Sequence, residues 1–225
     1  MKKIYEGKTK DLYQLDDGNC LLQFKDDVTG TDGVFDPGAN TVGLSIEGIG
    51  KSNLALSVFF FEKLKENGIK THYISSDLEA GTMTVKKAKP FGHGLEVICR
   101  FYAVGSFIRR YGEYIREGMK LPSYVEFTLK DDYRGDPIIT SDALEILGIL
   151  DKSQYDEITE MTKKISEMIS LELAKKSLIL YDIKLEFGIS DNEILLMDEI
   201  ASGNMRVYMN ESIVEPMDIE KIMLS

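Results

Sequence analysis

The stretch from Leu178 to Ile200, LILYDIKLEFGISDNEILLMDEI, constrains this chain more than any other. Its first run alternates with period two. Ile183, Leu185 and Phe187 point one way, and Asp182, Lys184 and Glu186 point the other. Gly188 to Asn192 supplies a turn, and the return run from Glu193 is nearly all apolar until it closes on Asp198 and Glu199. The pattern predicts a β-hairpin. A solvated antiparallel face would alternate in the same way, but the return strand is too apolar to lie open to water. A hairpin buried on its apolar side and carrying Asp182, Lys184, Glu186 and Asp198 towards a cleft could hold a divalent metal and a charged substrate. Carboxylate oxygens suit Mg²⁺, which takes one or two protein carboxylates and completes its shell with water and phosphate.

The remaining sequence sets the context. At 225 residues the chain is long enough for one large domain or two small lobes sharing a cleft, and 43% apolar residues suffice for a core. The formal net charge of −11 disfavours a general nucleic-acid binder, whose affinity rests on neutralising phosphates, but leaves room for a local basic pocket. Cys20 and Cys99 both sit in apolar runs, as expected of buried thiols in a reducing compartment. MKKIYEGK lacks an apolar signal region, and no run is long enough for a membrane span. The expectation is a soluble, acidic, intracellular α/β protein with no nucleic-acid or membrane partner.

In chain order, residues 2–25 predict a β-meander with a turn at Asp16–Asn19. Within it, Gly7 permits close backbone approach to a ligand, and Lys8 and Lys10 fall on one strand face, without P-loop spacing. Residues 26–50 hold six glycines and predict a long loop. Ser52 can cap a helix that Asn67-Gly68 ends. Strands follow on both sides of a turn at Asp77–Gly81, with Lys86 and Lys87 expected to divide between cleft and solvent. Residues 90–94 mark a junction, dividing a β-rich lobe, 1–90, from an α/β lobe, 91–225. His72 and His93 read as structural or surface residues. A strand to Tyr102 leads into a helix opened by Gly105-Ser106. Arg100, Arg109 and Arg110 gather positive charge there, suiting a phosphate or carboxylate, although solvated arginines at an ordinary junction fit the same pattern. A strand from Tyr124 ends at Lys130. Ser141 can cap a short helix, and Ser153–Lys176 has the spacing of a long amphipathic one.

YEGKTK, FKDD before a glycine-rich loop, GIKTHYI, R-x-x-A-V-G-S-x-x-x-R, LKDD with a following DP, YDIKLEFG, and MDEI followed by Arg206 together resemble the SAICAR synthetase family. The likeness runs from about Tyr5 to Arg206. It implies an α/β (α+β) fold with a small antiparallel nucleotide lobe above a larger α/β lobe, ATP and Mg²⁺ between them, and a cytoplasmic homodimer. It also implies a ligase of purine biosynthesis that joins an imidazole ribonucleotide carboxylate to L-aspartate with ATP. By the same likeness, Lys8, Lys10, Lys86 and Lys130 are the ATP contacts. Glu186 and Asp198 are the Mg²⁺ carboxylates. Asp182 and Lys184 lie in the shared catalytic cleft, and Arg100, Ser106 and Arg206 take the ribonucleotide.

Three segments depart from the family pattern. Arg100-Phe101 stands for the usual Arg-Asn, Ala201-Ser202-Gly203-Asn204 replaces Ser-Pro-Asp, and Val-Tyr-Met follows Arg206 in place of Trp-Asp. Such changes on the substrate side would also suit a ligase with a different carboxylate or amine, or a silent nucleotide-binding paralogue.

Overall fold

The computed structural model describes every residue except Ala39 and Asn40. In chain order the elements are β1 (Lys2–Glu6), β2 (Lys10–Gln14), β3 (Cys20–Phe24), β4 (Asp27–Thr31), β5 (Val34–Phe35), β6 (Val42–Ser45), α1 (Ile49–Glu66), β7 (Tyr73–Asp77), β8 (Thr82–Val85), β9 (Lys89–Pro90), β10 (Leu95–Tyr102), α2 (Ser106–Tyr111), β11 (Lys120–Leu129), α3 (Ser141–Ile146), α4 (Lys152–Ala174), β12 (Ile179–Ser190), β13 (Glu193–Met197), β14 (Met205–Met209), β15 (Ser212–Ile213) and α5 (Pro216–Leu224). A five-stranded antiparallel sheet, β1-β2-β3-β8-β7, comes from the first 85 residues. A larger sheet runs β11-β10-β12-β14-β15, with β13 and β9 also paired to the long β12.

β12 organises the larger sheet, and its alternation decides the layers. Ile183, Leu185 and Phe187 join Val97, Cys99 and Phe127 in a core closed by Ile158, Ile165, Ile169 and Leu173 of α4. The opposite face carries charge across three strands in register. Glu96 lies beside Glu186, Ile98 beside Lys184 and Arg100 beside Asp182, while Arg206 pairs with Asp182 from the other side. That charged face is the floor of the site. Both cysteines are free and buried, as expected. Among the described residues, no helix is long and apolar enough to cross a membrane.

Several expectations are corrected. Residues 26–50 are not one long loop but contain the three-stranded β5-β4-β6 sheet. Gly30 and Gly43 are needed there because the two backbones touch: a Cβ on Gly43 would lie 2.5 Å from the Gly30 carbonyl carbon. Helix α1 starts before Ser52. The Asp26 carboxylate accepts from the Gly48 and Gly50 amides at 3.0 and 2.9 Å, so a distant side chain satisfies the helix start. The turn of the late hairpin is only Asp191-Asn192, with φ of 52° and 63°, because Gly188–Ser190 stay in the ladder. Thr140, not Ser141, caps α3, and Asp151 with Gln154 forms the capping box of α4. β11 begins at Lys120, ahead of Tyr124.

Candidate active site

The five-stranded sheet and the charged face enclose a cavity of about 520 Å³. Leu12, Cys20, Leu22, Val28 and Val85 supply an apolar wall. Lys8, Lys10, Lys86, Lys87, Lys130 and Lys184 meet Glu96, Glu186, Asp198 and Glu199 on the polar side. A second cavity of about 270 Å³ is lined by Arg100, Ser106, Arg109, Arg110, Asp182 and Arg206. Pro37, Glu96, Lys184 and Asn204 line both cavities, so the two chambers share a wall.

In the first chamber each well-placed lysine holds an acid. Lys8 Nζ lies 2.7 Å from Asp132, Lys10 3.0 Å from Asp198 and in contact with Glu199, Lys130 2.5 Å from Glu186, and Lys184 2.8 Å from Glu96. Lys86 and Lys87 are both exposed and both line the cavity, so the expected division between cleft and solvent does not hold. Burial, together with the nearby Asp198 charge, pushes the Glu186 carboxyl above its usual range. Burial acts on Asp198 in the same direction, but Lys10 and Lys130 outweigh it and hold that carboxyl low. Two half-buried carboxylates under mutual repulsion, open to a chamber ringed by lysines, fit a hard cation that would also bind phosphate oxygens. No group of three or more His, Cys, Asp or Glu that could hold a metal ion is found among the described residues.

The second chamber is built differently. A free guanidinium at Arg100 is not what the structure presents. Its Nε and Nη2 donate to Glu126 at 3.0 and 2.7 Å, Nη1 to Asp182 at 2.5 Å and to the Val104 carbonyl at 3.3 Å, and Nη2 to Ser106 Oγ at 2.8 Å. Only 2% of Arg100 is exposed. Asp182 is likewise engaged, bonding Arg100 and Arg206, and so anchors arginines beneath the chamber. Arg206 also reaches Asp36 at 2.8 Å. Gly105, at φ 57°, makes room for it: a Cβ there would stand 2.9 Å from the guanidinium.

Sequence reasoning missed Glu96, Asp36 and Glu126. Glu96 was findable, since it shares Arg100's strand face at period two. His72, read as structural or surface, is buried with Nε2 2.8 Å from the Asp198 carbonyl oxygen. Burial drops its pKa to about 4, which leaves a neutral ring donating Nε2–H. His93 is exposed at the cavity lining.

The family model described as SAICAR synthetase matches residues 3–222. The phosphoribosylaminoimidazole-succinocarboxamide synthase of Clostridium tetani is 59% identical over 226 aligned positions covering 100% of both chains. The corresponding Finegoldia magna enzyme is 39% identical over 212 positions, 92% of this chain and 86% of that one. A solved SAICAR synthetase in complex with ADP superposes with a TM-score of 0.85 at 33% identity, over 98% of this chain and 95% of that one. The Pyrococcus horikoshii SAICAR synthetase superposes at 0.82 with 32% identity, over 96% and 95%. The altered segments around Phe101 and Ala201–Asn204 therefore sit within a full-length likeness, and the chain belongs to the SAICAR synthetase family.

Proposed function

We propose that the two chambers are the two halves of the active site for this family's reaction. That reaction is the ATP-dependent joining of the carboxylate of carboxyaminoimidazole ribonucleotide to L-aspartate, giving SAICAR, ADP and phosphate in purine biosynthesis. The observation that carries the reading is the shared wall. Glu96 and Lys184 border both the lysine-ringed chamber and the arginine-lined one, so a phosphoryl donor in one can meet a carboxylate in the other. A structural neighbour in complex with ADP supports nucleotide binding, and the larger chamber has the room for it. Its apolar wall suits a base, while Lys8, Lys10, Lys86 and Lys130 face the phosphates. The residues near 90 divide the chain into the lobes 1–90 and 91–225, although β9 within the first stretch pairs with β12 of the second.

The chemistry explains the charge. A carboxylate is a poor acyl donor because oxide is a poor leaving group. A substrate carboxylate oxygen attacks the γ-phosphorus and ADP departs, leaving an acyl phosphate. The amine of aspartate then attacks the acyl carbon, phosphate leaves, and the nitrogen loses a proton. Lys10, Lys130 and Lys184 neutralise charge on the transferred group and hold donor and acceptor in line. Glu186 and Asp198 would hold Mg²⁺, which supplies charge neutralisation across the phosphates. Lys10 and Lys130 are engaged by Asp198 and Glu186 in the free chain and would be freed towards phosphate if those carboxylates held the cation. Arg206 and Ser106 take the ribonucleotide's anionic groups, with Arg100 and Asp182 fixing them from below. The family likeness also supports a cytoplasmic location and a homodimer.

The test is ADP release with MgATP, the imidazole carboxylate and L-aspartate. Turnover should require both co-substrates, and ¹⁸O placed in the substrate carboxylate should appear in the released phosphate. Turnover without that label transfer would rule out the acyl phosphate. No turnover with this pair would remove the proposed substrates.

A further inference from the structure

Asp198 occupies an unusual backbone position. Its φ of 69° is left-handed, a conformation that non-glycine residues adopt only where the surroundings hold them. The ring of His72 is what meets it. His72 Nε2 lies 2.8 Å from the Asp198 carbonyl oxygen, and the residue is only 4% exposed. The ring also packs against Phe61, with centroids 5.7 Å apart. The backbone of His72 is clamped from both sides. Its N–H donates to the Leu196 carbonyl at 2.9 Å, and its own carbonyl accepts from the Lys86 N–H at 2.7 Å. One residue thus ties the last turn of β13 to the segment that carries Lys86 to the cavity rim.

We propose that His72 is a positioning residue for the metal–phosphate site: by donating Nε2–H to the Asp198 carbonyl, it holds the left-handed turn that sets the Asp198 carboxylate beside Glu186. The inference rests on the reading of Asp198 as a metal carboxylate. Without the donor, a buried carbonyl loses its partner, and the turn relaxes towards the right-handed region, carrying the carboxylate with it. The ring also lines the nucleotide cavity, but the role assigned to it acts through the Asp198 backbone.

The experiment compares H72L, which fills similar volume without a donor, with H72Q, whose amide nitrogen can stand where Nε2 stands. Mn²⁺ affinity in the presence of ADP is read by electron paramagnetic resonance on the full chain. Outer-shell partners of metal ligands carry about 10–100-fold in affinity, so H72L should weaken Mn²⁺ about tenfold and H72Q should stay within about threefold of the parent. The KM for MgATP should rise in H72L while the KM for L-aspartate holds. If H72L does not accumulate folded, H72N takes its place, because its shorter amide does not reach the carbonyl. Equal weakening in the donor-free variant and H72Q, or no weakening in the donor-free variant, overturns the proposal. D198N separates the two readings: retained Mn²⁺ affinity there removes the metal role of Asp198, whereas its loss beside an unaffected H72L removes only the role of His72.

Discussion

The two chambers hold positive charge in opposite ways. On the nucleotide side the cations are lysines on long stems, each holding an acid, Lys8 and Lys10 across the cleft and Lys130 and Lys184 on the face of the larger sheet. Lys8 is 38% exposed and Lys130 42% in their side chains. Several of these pairs join the smaller sheet to the larger: Lys8 precedes β2 and meets Asp132 beyond β11, and Lys10 in β2 meets Asp198 beyond β13. On the other side Arg109 and Arg110 come from α2, but the buried cations are arginines of the larger sheet, with Arg100, Glu126, Asp182 and Arg206 on neighbouring strands. A lysine is a mobile point charge that can leave one anion for another, whereas a buried guanidinium fork is fixed by its geometry. The nucleotide chamber is therefore built to exchange carboxylates for phosphate and metal, and the arginine chamber is set before any ligand arrives.

That contrast is broken most directly at Arg100. Replacing it with alanine leaves Glu126 with Arg110 alone and Asp182 with Arg206 alone, and losing one partner from such a buried group costs up to about 3–5 kcal/mol. R100A should lower the urea midpoint accordingly. A midpoint near that of the parent would show that the arginine network is not a rigid base. Next in size is E186Q, which should cut MgATP-dependent turnover by about a hundredfold, on the scale of removing one electrostatic contact in a transition state. The fold should survive, because the partner it leaves, Lys130, reaches solvent. Unchanged turnover by ADP release would take Glu186 out of the metal role.

His72 adds a pH dependence of its own to the stability. Its pKa in the folded chain is about 4, below the ordinary value of 6.5. Above pH 6.5 the ring is neutral in both states, and its contribution is fully present. As pH falls through the window from 6.5 towards 4, the unfolded chain takes up the proton first, so stability declines, levelling off below the folded value. The slope from this one group is at most about 1.4 kcal/mol per pH unit. Urea midpoints between pH 7 and pH 4, a range of about 3 units, should show a shallower decline in H72Q than in the parent.

How much of this was legible in the sequence depended on how far away the partner stood. The charged face of β12 was readable because alternation is carried within one strand. Glu96 was within reach of the same rule, at period two from Arg100, but its partners were not, because Glu186 comes beside it only through strand pairing. The strands of 26–50 were hidden because they depend on backbone contact between Gly30 and Gly43, not on side-chain pattern. Likewise, no local rule finds Asp26 at the start of α1 or Glu126 beneath Arg100. The lysines were recognisable as nucleotide contacts by family likeness, but not their present partners, which come from across the cleft.

The smallest effect probes that exchange itself. Lys8 and Asp132 face each other at the exposed rim, where an ion pair contributes only about 0.2–1 kcal/mol. D132N should therefore move the urea midpoint by less than about 0.5 kcal/mol. The same change frees the Lys8 ammonium from its competitor. If the lysine must leave Asp132 to meet a phosphate, removing the acid removes part of that cost, and MgADP should bind about two- to threefold tighter, the equivalent of about 0.4–0.7 kcal/mol. Calorimetric titration with MgADP reads this directly. Weaker binding in D132N would mean instead that Asp132 holds Lys8 in place for the nucleotide, and the lysine side would then be as preformed as the arginine side.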